Sequence, residues 1–287
     1  MTTLINPLDY HACISKLRRF FTDKGFLEVP TQSRLSILAA CEDPETITGF
    51  DYSGQHWPLP QTGQMWLEYE LLKNPETPGF FCISTSYRQE PNPIPGRHET
   101  IFPMFEFESH GTLADLQVME EELLEQLGFG LKQDFVQMNY TDACNIYETD
   151  EITSQVEAKI AHDYGPVFFL KNFPQYTSPF WNMKKDGDKA SKIDVILHGI
   201  ETIGSAERST NPAEMRHLFN TISNGKYASI LHAKFGKDRV EQEMDEFLSH
   251  DFFPRFGGGI GVTRMIRAMR MSGILHDTQT QELKKAA

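Results

Sequence analysis

Two apolar runs, FFCIST (80–85) and IFPMFEFE (101–108), constrain the fold of this chain more than any other feature. Between them lies a loop of prolines, Asn, Gly and an Arg-His pair. A buried strand that enters such turn-forming residues and returns as an aromatic-rich strand is a β-hairpin. The hairpin carries Arg88 and Glu90 on its way out, Arg97 and His98 at the far side of the loop, and Phe102, Glu106 and Glu108 on its return. Arg88 follows an apolar strand, so it stands on ordered sheet. Cationic groups around one hairpin suit a polyphosphate, because guanidinium meets phosphate oxygens bidentately, and Phe102 offers a face for a purine. The competing reading pairs Arg88 and Glu90 with neighbours and leaves the aromatics to the core.

The rest of the chain supplies helices and further strands. Apolar residues at helical spacing (Ile14, Leu17, Phe20, Phe21) predict a helix from Tyr10 to Lys24, stopped at Gly25. FLEVP then reads as a short strand ended by Pro30, and the stretch from Trp57 to Gly111 reads as strand-rich. Helices are expected over Leu113–Leu127 and around Glu151–His162, Asn211–Ile222 and Val240–His250, with strand character from Lys192 to Ile203 and towards FGGGIGV. This order predicts a single α+β domain, an antiparallel β-sheet flanked by helices, over residues 1–287. The segment from about Gly111 to Ser178 is expected to be a helical insertion.

Two further stretches carry chemistry. In FGGGIGVTRMIRAM three consecutive glycines and Gly261 precede Arg264 at the start of a helical pattern. Glycine admits close backbone approach, and an Arg there can meet a phosphate. The pattern is neither a P-loop nor GxGxxG. In KIDVILHGIETIGSAERSTN, Asp194 and Glu201 flank an apolar strand and Arg208 follows. Carboxylates beside a polyphosphate hold Mg2+ together with phosphate oxygens, while Arg208 can bind a substrate side chain. The bland alternative is a set of solvated charges around a strand.

Charge excludes more than it proves. Lys and Arg are outnumbered 27 to 40, giving a net charge of −13, which disfavours broad nucleic-acid contact. No apolar run is long enough to span a membrane, and the N-terminus has no signal-peptide pattern. Cys13, Cys41, Cys82 and Cys144 are scattered, which fits buried thiols in a reducing cytoplasm and not zinc or disulfides.

Taken in order, the three stretches resemble the three signature motifs of class II aminoacyl-tRNA synthetases, over nearly the whole chain. FFTDKGFLEVP is similar to the first motif, with Pro30 at the dimer interface; YRQE…RHETIFPMFEFE to the second; and GGGIGVTR to the third. The aspartyl/asparaginyl branch is the nearest likeness. The resemblance implies ATP and Mg2+ as cofactors, a homodimer, and attack of an amino-acid carboxylate on the α-phosphate. By the same likeness Arg88 meets the α-phosphate and the activated carboxylate, with Glu90 beside it. Arg97 and His98 meet the β- and γ-phosphates, Phe102 stacks on adenine, Arg264 holds the γ-phosphate, and Asp194 and Glu201 hold the metal. Glu42 and Gln64 match positions for the substrate α-amino group, Glu106 is aimed at the amino acid, and Arg208 takes its side chain.

Two positions bear on the side chain. Leu67 stands where aspartyl enzymes place a Lys, and Met104 with Glu106 matches the asparaginyl pattern, so an asparagine-like or other neutral or amine-bearing side chain is expected. The likeness also has departures: the first helix begins almost at once, so no anticodon-binding barrel is expected, and GSAE replaces the usual GGS before Arg208. The expected activity is therefore adenylation of Asn, Asp or a close analogue with transfer to ammonia, a small amine or another non-tRNA acceptor, as in asparagine-synthetase-related paralogues. A compact tRNA synthetase and an inactive regulatory paralogue are the alternatives.

Overall fold

The structure is a computed structural model that describes residues 4–31, 35–39, 44–91, 93, 99–177 and 179–275. Glu42, Arg97, His98 and Cys41 lie outside the described residues. The first helix, α1 (Pro7–Asp23), starts three residues before the apolar pattern does. Asn6 caps it, its Oδ1 accepting from Leu8 N at 2.9 Å, and Pro7 supplies a first-turn residue that needs no donor. The two-residue strand β1 (Leu27–Glu28), one-turn helix α2 (Ser36–Ala39) and hairpin β2 (Gly49–Tyr52)–β3 (Gln55–Pro58) follow.

Helix α3 (Gln64–Lys73) then interrupts the region that reads as strand-rich. Seven of its ten residues are buried, so it has no polar face to reveal a helical period. The motif hairpin is β4 (Gly79–Tyr87) and β5 (Ile101–His110), in register from Gly79↔Ser109 to Tyr87↔Ile101. Helix α4 (Leu113–Leu127) has the predicted bounds, set by the Thr112/Asp115 capping box and by Gly128 at φ 105°.

The segment 111–178 is not a helical insertion. Beyond α4 it holds β6 (Val136–Asn139), α5 (Tyr140–Ile146), α6 (Ser154–Tyr164) and β7 (Val167–Pro174), and both strands join the main sheet. Burial explains the difference: Phe168, Phe169 and Leu170 pack on both faces of the sheet, and Leu116, Leu123 and Leu124 of α4 belong to its largest core cluster. The chain continues through β8 (Lys185–Asp186), β9 (Lys189–Leu197), β10 (Ile200–Glu207), α7 (Pro212–Thr221), α8 (Lys226–Phe235), α9 (Lys237–Leu248), β11 (Arg255–Gly261) and α10 (Val262–Met271). The single strand expected at Lys192–Ile203 is a hairpin, turned by His198 and Gly199 at φ 48° and 78°.

The sheet runs β1-β4-β5-β11-β10-β9-β7-β6, with β8 alongside β9. It is antiparallel through its centre, as expected, and parallel at its two ends, β1 with β4 and β6 with β7. One face packs on α1, α4 and α10 through Phe21, Phe105, Phe107, Ile203 and Met265. The central strands of the opposite face carry the charged residues, covered by α3 and by a second cluster of Trp181, Phe219 and Tyr227. No described helix is long and apolar enough to cross a membrane.

Candidate active site

Strand alternation brings the predicted residues together. On β5, Phe105 and Phe107 enter the core, so Phe102, Met104, Glu106 and Glu108 share the other face. On β9, Ile193, Val195 and Leu197 enter the same core, leaving Lys192 and Asp194 opposite. Residues 201 and 204 would point to opposite faces of a regular strand. A bulge between Glu201 and Ile203 absorbs Thr202, so Glu201 pairs with Ile196 and Gly204 with Asp194 on the site face.

That face forms the floor of two adjoining cavities of about 230 Å³ each. The first is lined by Gln64, Met65, Glu68, Asn182, Lys192 and Arg208. The second is lined by Glu99, Phe102, Thr202, Thr263 and Arg264. Arg88, Glu90, Met104, Glu201, Gly204 and Gly259 belong to both. Arg88 has its guanidinium carbon 5.6 Å from the Phe102 ring centroid. Arg264, in the first turn of α10, donates to Glu201 O at 2.8 Å and lies 3.6 Å from Glu201 Oε2.

Beneath the first cavity lies a buried quartet of alternating charges. Glu108 accepts from Arg208 Nε at 2.7 Å and Nη2 at 3.1 Å, and Glu68 Oε2 accepts from Arg255 Nε at 2.9 Å. Asn182 Nδ2 donates to Glu68 Oε1 at 3.0 Å, and Arg208 Nη2 also donates to Gln64 Oε1 at 2.9 Å. Burial pushes the Glu108 carboxyl up, and the charge and hydrogen bonds of Arg208 oppose that. For Arg208 itself, burial acts to lower the guanidinium, and Glu108 reverses this and leaves it raised. Two cations thus offset two anions where a lone charge would be costly.

The glycine run answers to this quartet as much as to a ligand. A Cβ on Gly257 would lie 1.2 Å from Glu108 Oε2, and one on Gly259 would lie 2.7 Å from Gln64 Nε2. The first leaves room for a buried carboxylate; the second keeps the cavity floor open.

Two expectations are corrected. Glu106 lines neither cavity: it is fully buried and accepts from Thr62 Oγ1, Ser84 Oγ and, at 2.8 Å, Gly63 N. Burial raises its carboxyl, against those hydrogen bonds, and its place is to pin the 62–63 turn that starts α3. Leu67 also points away, packing with Leu71, Phe80 and Cys82, so its identity does not shape the cavity. Among the lining residues that the sequence did not single out are Glu68, Asn182 and Lys192. Lys192 opens the quoted 192–211 stretch and alternates with Asp194, which could have placed it; Asn182 and Glu68 carried no sequence signal.

Asp194 and Glu201 fit a metal-holding role in part. Their oxygens lie 3.7 and 3.1 Å from the place a side chain on Gly204 would occupy, so the two carboxylates flank Gly204, Glu201 lining both cavities and the buried Asp194 neither. Asp194 also lies 3.3 Å from Lys192 Nζ. Among the described residues no cluster of three metal-ligating side chains occurs, so phosphate oxygens would have to complete a Mg2+ shell.

The sequence profile of the class II tRNA synthetases of the D, K and N group matches residues 9–279. The aspartate–tRNA(Asp) ligase of Pyrobaculum aerophilum is 28% identical over 121 residues, covering 42% of this chain and 25% of that protein. The asparagine–tRNA ligase of Idiomarina loihiensis is 24% identical, covering 79% of this chain and 63% of that protein. Among solved structures, asparaginyl-tRNA synthetase from Pyrococcus horikoshii complexed with asparaginyl-adenylate superposes with a TM-score of 0.73 at 20% identity. That match covers 91% of this chain and 64% of the other. The chain therefore spans between 25% and 64% of the length of these relatives.

Proposed function

The chain belongs to the class II tRNA synthetase family of the D, K and N group, and from that membership we propose that it activates a small amino acid as its adenylate. The observation that carries this reading is the pair of adjoining cavities sharing Arg88 and Glu201. One is sized for an amino acid; the other, with Phe102 and Arg264, is suited to a purine nucleotide. A carboxylate oxygen of Asn, Asp or a close analogue attacks the α-phosphorus, forming a new P–O bond. The bond to the bridging oxygen breaks, and pyrophosphate leaves with that electron pair. Arg88, at the junction, sits where the attacking carboxylate and the α-phosphate would meet and offsets charge on the developing oxyanion. Arg264 serves the phosphate end. Mg2+, held by Asp194 and Glu201, would neutralise phosphate charge. Positioning suffices, without a protein nucleophile.

For the second half-reaction we favour ammonia or a small amine, which attacks the acyl carbon and expels AMP. The net charge of −13 supports this, since counterion release on a tRNA backbone needs a basic surface. The second reading, transfer to tRNA, is favoured by what the relatives are named for. Dimerisation through α1 and β1 is proposed from the first-motif resemblance; β1 is an edge strand with Leu27 exposed.

ATP–pyrophosphate exchange across the standard amino acids, with Arg88→Ala as the blank, tests the first half. Exchange with Asn or Asp that the variant loses by a factor of at least about 10² supports the reading. Exchange equal in both proteins would remove Arg88 from the chemistry. Ammonia, amines and tRNA, added in turn, then identify the acceptor.

A further inference from the structure

Glu201 lines both cavities, yet its own strand does not hold it there unaided. We infer that Glu157 of α6 is a positioning residue for Glu201: its buried carboxylate anchors the bulge that turns Glu201 onto the site face. This rests on the adenylation reading only for the ligand, ATP, on which the effect is measured.

The sheet leaves the backbone of Glu201 open. Strand β11 pairs with β10 from Ile203↔Ile260 onward, so no strand covers Glu201 on that side. The bulge between Glu201 and Ile203 interrupts the regular ladder to β9 at the same place. Side chains from two helices take over. The Glu201 N–H donates to Glu157 Oε2 at 3.2 Å, and the Glu201 carbonyl accepts from Arg264 Nη1 at 2.8 Å. A part-buried backbone needs both partners.

Helix α6 is placed to deliver that carboxylate. Its Val156 and Ile160 pack with Phe168 and Ile196, and Ile196 is the cross-strand partner of Glu201. The helix therefore lies on the site face, beside Glu201. A Cβ on Gly199 would come within 3.1 Å of Ala158 Cα, so α6 sits directly against the turn that joins β9 to β10. Glu157 stands in the first turn of α6, where the helix dipole favours a carboxylate, and a charged acceptor makes the stronger bond to an N–H. An apolar residue would suit the packing of α6; the carboxylate suits the backbone of Glu201. Without an acceptor there, the N–H is stranded and the bulge can relax towards a regular strand, in which residues 201 and 204 face opposite ways.

The test is calorimetric ATP binding in the presence of Mg2+ to the wild type, Glu157→Met and Glu157→Gln. Both substitutions remove the charge and fill the space, but only Gln keeps an acceptor oxygen. Glu157→Met is expected to weaken ATP at least about tenfold, and Glu157→Gln by no more than about threefold. In a Glu201→Gln background, Glu157→Met should change ATP affinity by less than about twofold, because the two residues act as one unit. A loss through misfolding would persist in that background. Wild-type affinity in Glu157→Met, equal losses in the Met and Gln variants, or full additivity with Glu201→Gln would each overturn the inference. ATP binding without amino-acid-dependent exchange in the wild type, with the expected pattern in the variants, would keep the role of Glu157 and defeat the adenylation reading. No ATP binding by the wild type would defeat both.

Discussion

Glu120 on α4 is fully buried beneath the sheet face that carries the site, neither of its carboxyl oxygens has a hydrogen-bond partner among the described residues, and burial, with Asp194 and Glu121 nearby, raises its carboxyl from 4.5 to about 8. The folded protein therefore holds a proton here that the unfolded chain releases near pH 4.5. The resulting stability is full below that pH and declines as pH rises to about 8. Glu120→Gln keeps the shape without the charge, so its Tm should match the wild type near pH 4 and exceed it at pH 8. As unfolding free energy, the difference at pH 8 should be on the order of a few kcal/mol. Melting curves across that range decide; equal gaps at both ends would mean the carboxyl does not titrate in the fold. Arg255 makes the complementary case. It is fully buried, bonded to Glu68 and to the carbonyls of Ser209 and Phe253. Arg255→Leu strands the Glu68 charge and should cost roughly 3–5 kcal/mol in urea unfolding. A loss below about 1 kcal/mol would mean that Glu68 finds another partner.

At the scale of elements, β11 and α3 govern the site. Gly257 and Gly261 sit on the same strand but differ in what a methyl would meet: Glu108 Oε2 at 1.2 Å in the first, and nothing nearer than Arg264 Cδ at 3.5 Å in the second. Gly257→Ala should therefore destabilise by at least about 2 kcal/mol and break the Glu108–Arg208 pair, while Gly261→Ala should stay within about 0.5 kcal/mol. Parallel chemical unfolding of the two variants measures this; equal costs would show that the strand, not the carboxylate, resists the methyl. Helix α3 decides which carboxylates the cavity sees. It packs over β4, β5 and β11, shutting Glu106 and Glu108 away from solvent. Amphipathic helices with caps, such as α4, were legible because polarity alternates at their period. Helix α3 was not, because it is buried nearly all round.

For the whole molecule, charge makes a prediction of its own. With −13 net, the protein should not be retained on immobilised tRNA at about 0.1 M salt. Retention that falls steeply as salt rises would shift the acceptor to tRNA. The sequence by itself determined the motif hairpin, the glycine strand entering α10 and the α+β class, whereas the meeting of Arg88, Phe102, Glu201, Arg208 and Arg264 around adjoining cavities was implied only by the family resemblance. The first three rest on local periodicity, turn chemistry, or a motif whose residues lie close along the chain. Only the tertiary structure decided that 111–178 completes the sheet, because β6 and β7 join it through the pairing of β7 with β9, a strand that lies outside that segment. It also decided that Glu106 and Leu67 turn away from the cavity while Glu68, Asn182 and Lys192 enter it. The physical reason is that which face a side chain takes depends on a bulge at Glu201 and on a covering helix, and neither has a local signature.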